Sequence, residues 1–554
     1  MEQNLSFWKK LLILISFNLL VFSTLQASRI ENMPATLKQP DGSQIACLLS
    51  GDEYYNWVSD TNGYTLLKNA QGWIVYAALA DGALVPTEYL AYSIDPRTVG
   101  LVPYLNISAE KRTQIRANFI NQTAAAAQLR HPAQAAPQNA PASNTYRTGT
   151  LNNIVIYISF PDADFTTTHN QILPNFNGTI RGSSMQQYYK DISNNNFHIN
   201  STFFPAQSGT TVLSYQAPHN RSYYEIDNDE PTGRIIEHTL LHDAVVSMQS
   251  AIEAAFTGVQ LDYNNDGNVD NIIFVVQGNT GGWSTLLWPH RWVLYTYQPY
   301  YDNELYLNGK MVWDYNLVLE NHVGVSTLVH ETYHTLGAPD LYRYQGDFDP
   351  VGSWDIMASN ATPPQSSSAH ISHKYGEFLI DNDIQEITAS GTYTLYDIWD
   401  RTPGHKKAYK LATSNPDEWI YLEYRKKTSE VYESNIPGEG IVIYRVKTSL
   451  NGNSNGPPDE VYIYRPNASD NSTDGSLSTA FFSSQSGRTF FSSTSNPPCF
   501  LTDGSLCNNF TISTISASGS STMTFNVSFT SGSNGCTTAT YGQWPLDIFT
   551  PNCT

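Results

Sequence analysis

Positive charge is what this chain lacks most. Its 554 residues carry 30 Lys and Arg against 50 Asp and Glu, a formal net charge of −20. A surface so short of cations offers no footing for a phosphate backbone, which excludes nucleic acid as a partner. Long apolar runs are missing too. The stretch Leu11 to Phe22 is the one candidate, and it falls short of the ~20 residues that cross a bilayer. It follows Lys9 and Lys10 and leads to Ser23 and Ala27, the layout of a secretory signal peptide over residues 1–27. No cysteine stands at that cleavage site to take a lipid, so a secreted, extracellular protein with no stable membrane anchor is expected. Cysteine is scarce, five in all. Cys499 and Cys507 flank the turn Thr502 to Ser505, and Cys536 and Cys553 bracket the tail. Two disulfides are expected, leaving Cys47 odd; the alternative is that some or all stay reduced.

What is present is a dense cluster of metal-binding residue types. His330, Glu331 and His334 form HExxH. Residues four apart on a helix differ by only ~40° around its axis, so both imidazoles project from one face and reach one Zn²⁺. Glu331, beside the first ligand, points to where a metal-bound water sits and is the candidate base. Gly337 ends the helix through a left-handed turn, and Pro339 forbids its resumption. Asp340 then falls where the long HExxHxxGxxH pattern has its third ligand. Downstream, Gly352, Trp354 and Met357 match a Met-turn, with Met357 as the floor beneath the metal.

HExxHxxGxxD followed by Trp354-Asp355-Ile356-Met357 resembles the secreted zinc metallopeptidases of the immune inhibitor A family. The likeness extends from the Gly51-Asp52-Glu53 stretch to about Phe529. It implies a metzincin-like catalytic domain and an N-terminal propeptide that serves as intramolecular inhibitor.

In chain order, residues 28–122 read as short strands separated by Asp41-Gly42, Asn62-Gly63 and Gln71-Gly72, a β-rich module in the place of that propeptide. Residues 123–147, rich in Ala, Gln and Pro, read as a cleavable linker. Residues 148–379 alternate strand and helix signals around the HExxH segment, as an α+β peptidase domain does. Residues 380–530 alternate in the strand manner and suggest a β-sandwich-like domain, with 451–484 as a long surface excursion. Residues 531–554 form the tail.

Four further readings attach to single clusters. Asp262, Asn264, Asp266 and Asp270, with Gly267 sixth, match the first part of a Ca²⁺ loop without the closing Glu of an EF-hand. Tyr342 or His290 is a candidate for stabilising the developing oxyanion. Cys47, in the N-terminal module, is a candidate inhibitory thiol on the zinc. Glu377 is the rival third ligand of a gluzincin arrangement. The reading adopted is a secreted zinc-dependent endopeptidase acting on proteins or peptides, made as a latent precursor. The rival of another class is a secreted adhesion or glycan-binding protein with a vestigial peptidase domain.

Overall fold

The computed structural model describes residues 30–52, 54–108, 110–117, 145–225, 232–280, 288–294, 304–344, 349–427, 430–469 and 475–530. The signal-peptide segment, most of the linker, and the tail with Cys536 and Cys553 lie outside these residues. Short β-prone runs punctuated by turns make a six-stranded antiparallel meander at the N-terminus, its strands neighbours in sequence order. They are β1 (Ile30–Lys38), β2 (Gln44–Gly51), β3 (Asn56–Ser59), β4 (Thr65–Lys68), β5 (Ile74–Ala80) and β6 (Ala83–Leu90). One face buries Cys47, Leu49, Val58, Leu66 and Tyr76. The β2–β3 connection demands glycine. Gly51 sits at φ +130°, and a Cβ there would lie 2.4 Å from the Asn56 Cα.

The next sheet is mostly parallel: β7 (Gly149–Ser159), β8 (Phe197–Phe204), the two-residue β9 (Tyr215–Gln216), β10 (Ile272–Val276), β11 (His290–Val293) and β14 (Asp314–Leu319). Its order is β11-β14-β10-β7-β8, with β9 beside β7 and β11 antiparallel at one end. The hairpin β12 (Tyr306–Leu307) and β13 (Lys310–Met311) stands apart. Strands β7 and β10 are apolar on both faces because both are covered. Val155, Tyr157, Ile273 and Val275 face helices α1 (His169–Asn177), α2 (Met185–Ile192) and α4 (Val325–Thr335). Their neighbours Ile154, Ile156, Ile272 and Phe274 face α3 (Thr232–Ala255). The short α5 (Ala369–Lys374) closes this region.

Two antiparallel layers follow. The larger has the order β15 (Ile384–Glu386), β17 (Ala408–Ala412), β18 (Glu418–Arg425), β19 (Gly440–Lys447), β20 (Val461–Ile463), with β21 (Phe481–Phe482) on β19. Only β15 runs parallel to its neighbour. The smaller is β16 (Gly391–Tyr396), β23 (Thr522–Phe529), β22 (Phe510–Ser513). They share a core of Leu395, Ile420, Leu422, Ile443, Ile512 and Phe525. The larger layer's other face, through Tyr421, Val442 and Tyr444, joins the core that holds Trp354, Met357 and Ile371. The architecture is thus mixed α and β in several sheets, and the third unit shares a core with the second. Cys499 and Cys507 form a disulfide. No helix among the described residues is long and apolar enough to cross a membrane.

Candidate metal centre

The HExxH residues lie on α4, buried against the sheet from Val325 to Tyr333. The Nδ1–H of His330 donates to the Ile356 carbonyl and that of His334 to the Ala338 carbonyl, each at 2.8 Å. In a neutral imidazole this leaves Nε2 as the lone-pair atom, and the two Nε2 atoms lie 3.0 Å apart. Gly337, at φ +100°, turns the chain out of the helix, and its N–H donates to the His334 carbonyl at 2.9 Å. Three residues later Asp340 returns, its Oδ1 3.2 Å from the His330 Nε2 and 3.3 Å from the His334 Nε2. Among the described residues this trio is the one group of His, Cys, Asp or Glu gathered closely enough to hold a metal ion.

The donor set fits a cation. Two lone pairs and a carboxylate oxygen at such separations repel one another unless positive charge lies between them. Ligand atoms about 2.0–2.1 Å from a tetrahedral zinc stand roughly 3.4 Å apart, near the spacing of these three. Burial alone would raise the Asp340 carboxyl; His334 and then His330 outweigh it and hold the group well below the usual carboxylate range.

Glu331 is fully buried, and among the described residues neither of its carboxylate oxygens has a hydrogen-bond partner. Burial pushes its pKa up to about 7, with Asp340 adding and His330 and Arg291 opposing. A carboxyl so placed is poised to take and return a proton near neutrality.

The ligand loop is braced from the larger C-terminal sheet. The Asn453 backbone N–H donates to the Asp340 carbonyl at 2.9 Å, and its side-chain amide donates to the Leu341 carbonyl at 2.8 Å. Arg343 pairs with Asp459, Nε to Oδ1, at 2.7 Å. The Tyr344 hydroxyl donates to Asp340 Oδ2. Residues 451–459 are therefore a brace for the site, which corrects the reading of that stretch as a surface excursion. Met357 is fully buried; its carbonyl accepts from the Leu341 N–H at 2.8 Å, tying this turn to the ligand loop. Asp355 anchors the same turn by accepting from the Met357 N–H at 2.8 Å.

Other expected residues land elsewhere. His290 shares a face of β11 with Trp292, toward α3, because alternate strand residues point the same way. Its Nε2 lies 3.1 Å from the Glu237 carboxylate, which His290 and Arg234 hold ionised against the cost of burial. Arg291, on the opposite face, is the β11 residue whose charge reaches Glu331. Tyr342 is buried, its ring 5.0 Å from that of Tyr344, and Tyr344 is the tyrosine bonded to Asp340. Cys47 lies in the N-terminal core, with its Sγ 3.5 Å from the Ala35 carbonyl. Burial pushes that thiol up to about 11, and Cys47 is absent from the metal trio. Glu377 pairs with Arg147 at 3.5 Å and is absent from the metal trio, which removes the gluzincin arrangement.

Asp262, Asn264, Asp266 and Asp270 do share one turn. Asp262 accepts from the Asp266 and Gly267 N–H groups, and Asp270 from that of Tyr263. The ligand pattern did not foresee Lys310, whose ammonium sits 2.5 Å from Asp262 Oδ2. Tyr344, Asn453 and Arg291 were missed because nothing in their local sequence sets them apart.

Two imidazoles and a carboxylate converging beside a buried, unsatisfied glutamate are the site of a metal-dependent hydrolase. Residues 160–378 match the family model for the immune inhibitor A peptidase M6 catalytic domain. The resemblance drawn from the HExxHxxGxxD motif holds over this segment, which is a metallopeptidase domain and takes protein or peptide substrates. No curated protein matches the chain.

Proposed function

We propose that the chain is a secreted zinc-dependent endopeptidase made as a latent precursor. The observation that carries the reading is the buried Glu331 carboxylate, without a hydrogen-bond partner among the described residues, next to the converged His330, His334 and Asp340. A bound zinc supplies a water with its pKa lowered toward ~7 and a Lewis acid for the scissile carbonyl. His330, His334 and Asp340 hold that ion, and the carbonyls of Ile356 and Ala338 fix the imidazole tautomers. Glu331 takes a proton on a carboxylate oxygen as attack begins and returns it to the leaving amine. Its raised pKa suits both halves of that cycle. Tyr344 orients Asp340 through Oδ2.

In this reading residues 1–27 are the export signal, 28–122 the inhibitory propeptide, 123–147 the joint that is cut, 148–379 the catalytic domain and 380–530 its support. The proposal extends to calcium at the Asp262–Asp270 turn. Burial, with Asp262 and Asp266 adding, pushes Asp270 up to about 7, the response of a carboxylate short of positive charge. The vestigial-domain alternative fares worse, since a dead site has no physical need to bury an unpaired Glu331.

The test is metal analysis with a casein assay on the full chain before and after nicking in the linker, with and without chelator. Chelator-sensitive hydrolysis that appears only on nicking is expected. Full activity in the intact chain overturns latency, and hydrolysis indifferent to metal overturns the mechanism.

A further inference from the structure

The N-terminal meander touches the loop that carries Asp340 through Tyr54. In the β2–β3 connection the Asp52 carboxylate accepts from the Tyr54 and Tyr55 N–H groups, both at 2.9 Å, while the Asp52 N–H donates to the Tyr55 carbonyl at 3.1 Å. Gly51 permits that tight loop. Its tip projects Tyr54 away from the meander's own core, and the half-buried ring packs instead against the core of the catalytic sheet.

The surroundings of that ring are specific. It meets Trp292 of β11 edge-on at 6.4 Å and Tyr344 edge-on at 5.2 Å. Trp292 belongs to the end strand of the sheet, whereas Tyr344 belongs to the loop that carries Asp340. Tyr54 therefore touches both the end strand of the sheet and the loop that carries Asp340. Arg116 covers it from outside, 5.2 Å from its ring and 3.9 Å from the Tyr344 ring, and donates to Asn455 at 2.6 Å. Tyr54 and Arg116 both precede the linker, so a cut there frees both to leave, while Trp292 and Tyr344 remain.

We propose that Tyr54 is a built-in mimic of a substrate side chain, and that the pocket between Trp292 and Tyr344 makes this peptidase select peptides with an aromatic residue, tyrosine or phenylalanine, beside the cleaved bond. The inference rests on the latent-precursor reading above. Edge-on ring contacts favour an aromatic occupant over an aliphatic one of equal area. Because the Tyr344 hydroxyl is bonded to Asp340, the occupant's ring meets edge-on a residue that also orients the third ligand. Side-chain capture and metal geometry then share one tyrosine.

Two measurements on the full chain, nicked in the linker, test this. In the first, retention of the N-terminal fragment is followed by gel filtration across a concentration series. Losing two aromatic contacts should weaken retention about tenfold in Tyr54→Ala, and Tyr54→Phe should hold near wild type. Equal retention in Tyr54→Ala overturns the pocket whether or not the protein hydrolyses anything. In the second, a proteome-derived peptide mixture is digested and the cut bonds are read by mass spectrometry. Tyr and Phe should be enriched at one fixed position, and Trp292→Ala should erase that enrichment. Cleavage without aromatic enrichment in the wild type overturns the inference and leaves the peptidase standing. A zinc-loaded, nicked chain that cuts nothing counts against the peptidase reading, while the retention measurement still decides the pocket.

Discussion

Asn453 holds Asp340 in place: its backbone N–H donates to the Asp340 carbonyl at 2.9 Å, while its side chain grips the Leu341 carbonyl at 2.8 Å. The Asn453 Oδ1 in turn accepts from the Val461 N–H at 3.0 Å, at the start of β20. A residue between two strands of the C-terminal sheet thus positions the third member of the metal trio. The sandwich is a structural part of the centre, which the common core of the two units also requires.

Asn453→Ala should therefore weaken the metal site from a distance. Removing the amide orphans the Leu341 and Val461 carbonyls at a cost of about 1–3 kcal/mol each. Metal affinity should drop about 10–100-fold, as for other residues that orient ligands. Competitive chelator titration measures it, and an unchanged affinity would show that the brace is idle.

Glu331→Ala should fold and keep its metal while losing peptide hydrolysis by about 10²–10⁴-fold. The base is removed and the three ligand atoms stay. Metal content by mass spectrometry beside a casein assay separates the two effects; near-normal turnover would refute the role given to this carboxylate.

Asp340→Ala and Glu377→Ala should part ways. The first deletes an oxygen 3.2 and 3.3 Å from the two imidazoles and should empty the site. The second breaks only the partly exposed contact with Arg147, worth about 0–1 kcal/mol at such positions. Metal occupancy after dialysis is the readout, and a reversed order would restore Glu377 as ligand.

Cys47 should resist alkylation at pH 8 until denaturant is added, as peptide mapping would reveal. Its folded pKa of about 11 lies above the ordinary 9.0, so the neutral thiol favours the folded state. That contribution is whole below pH 9 and is lost as pH rises through about 11. Ready labelling in the native precursor would contradict its burial.

Millimolar calcium should raise the melting temperature of protein stripped of the ion, by mass action on the native state. Lys310 now supplies the positive charge at Asp262, so Lys310→Met should strengthen the response. No shift in either protein would leave the lysine as the turn's only cation.

Much of this was legible in the residues, because local geometry is local chemistry. The i, i+4 spacing of His330 and His334 puts both rings on one helical face, and Gly337 with Pro339 forces the reversal that returns Asp340. The apolar runs at Ile154–Ile158 and Ile272–Val276 foretell strands covered on both sides, and the glycine turns foretell the meander. Relations between residues with no shared period came from the assembled fold. Asn453 meets Leu341 across a sequence separation of 112, and Tyr54 meets Tyr344 through packing of separate sheets. Strand alternation turned His290 toward Glu237, and the path of the ligand loop brought Tyr344 to Asp340. Side-chain identity and short spacing determine which groups a helix or turn can present. Which distant group they meet depends on how whole sheets bury their faces, and that is a property of the assembled chain.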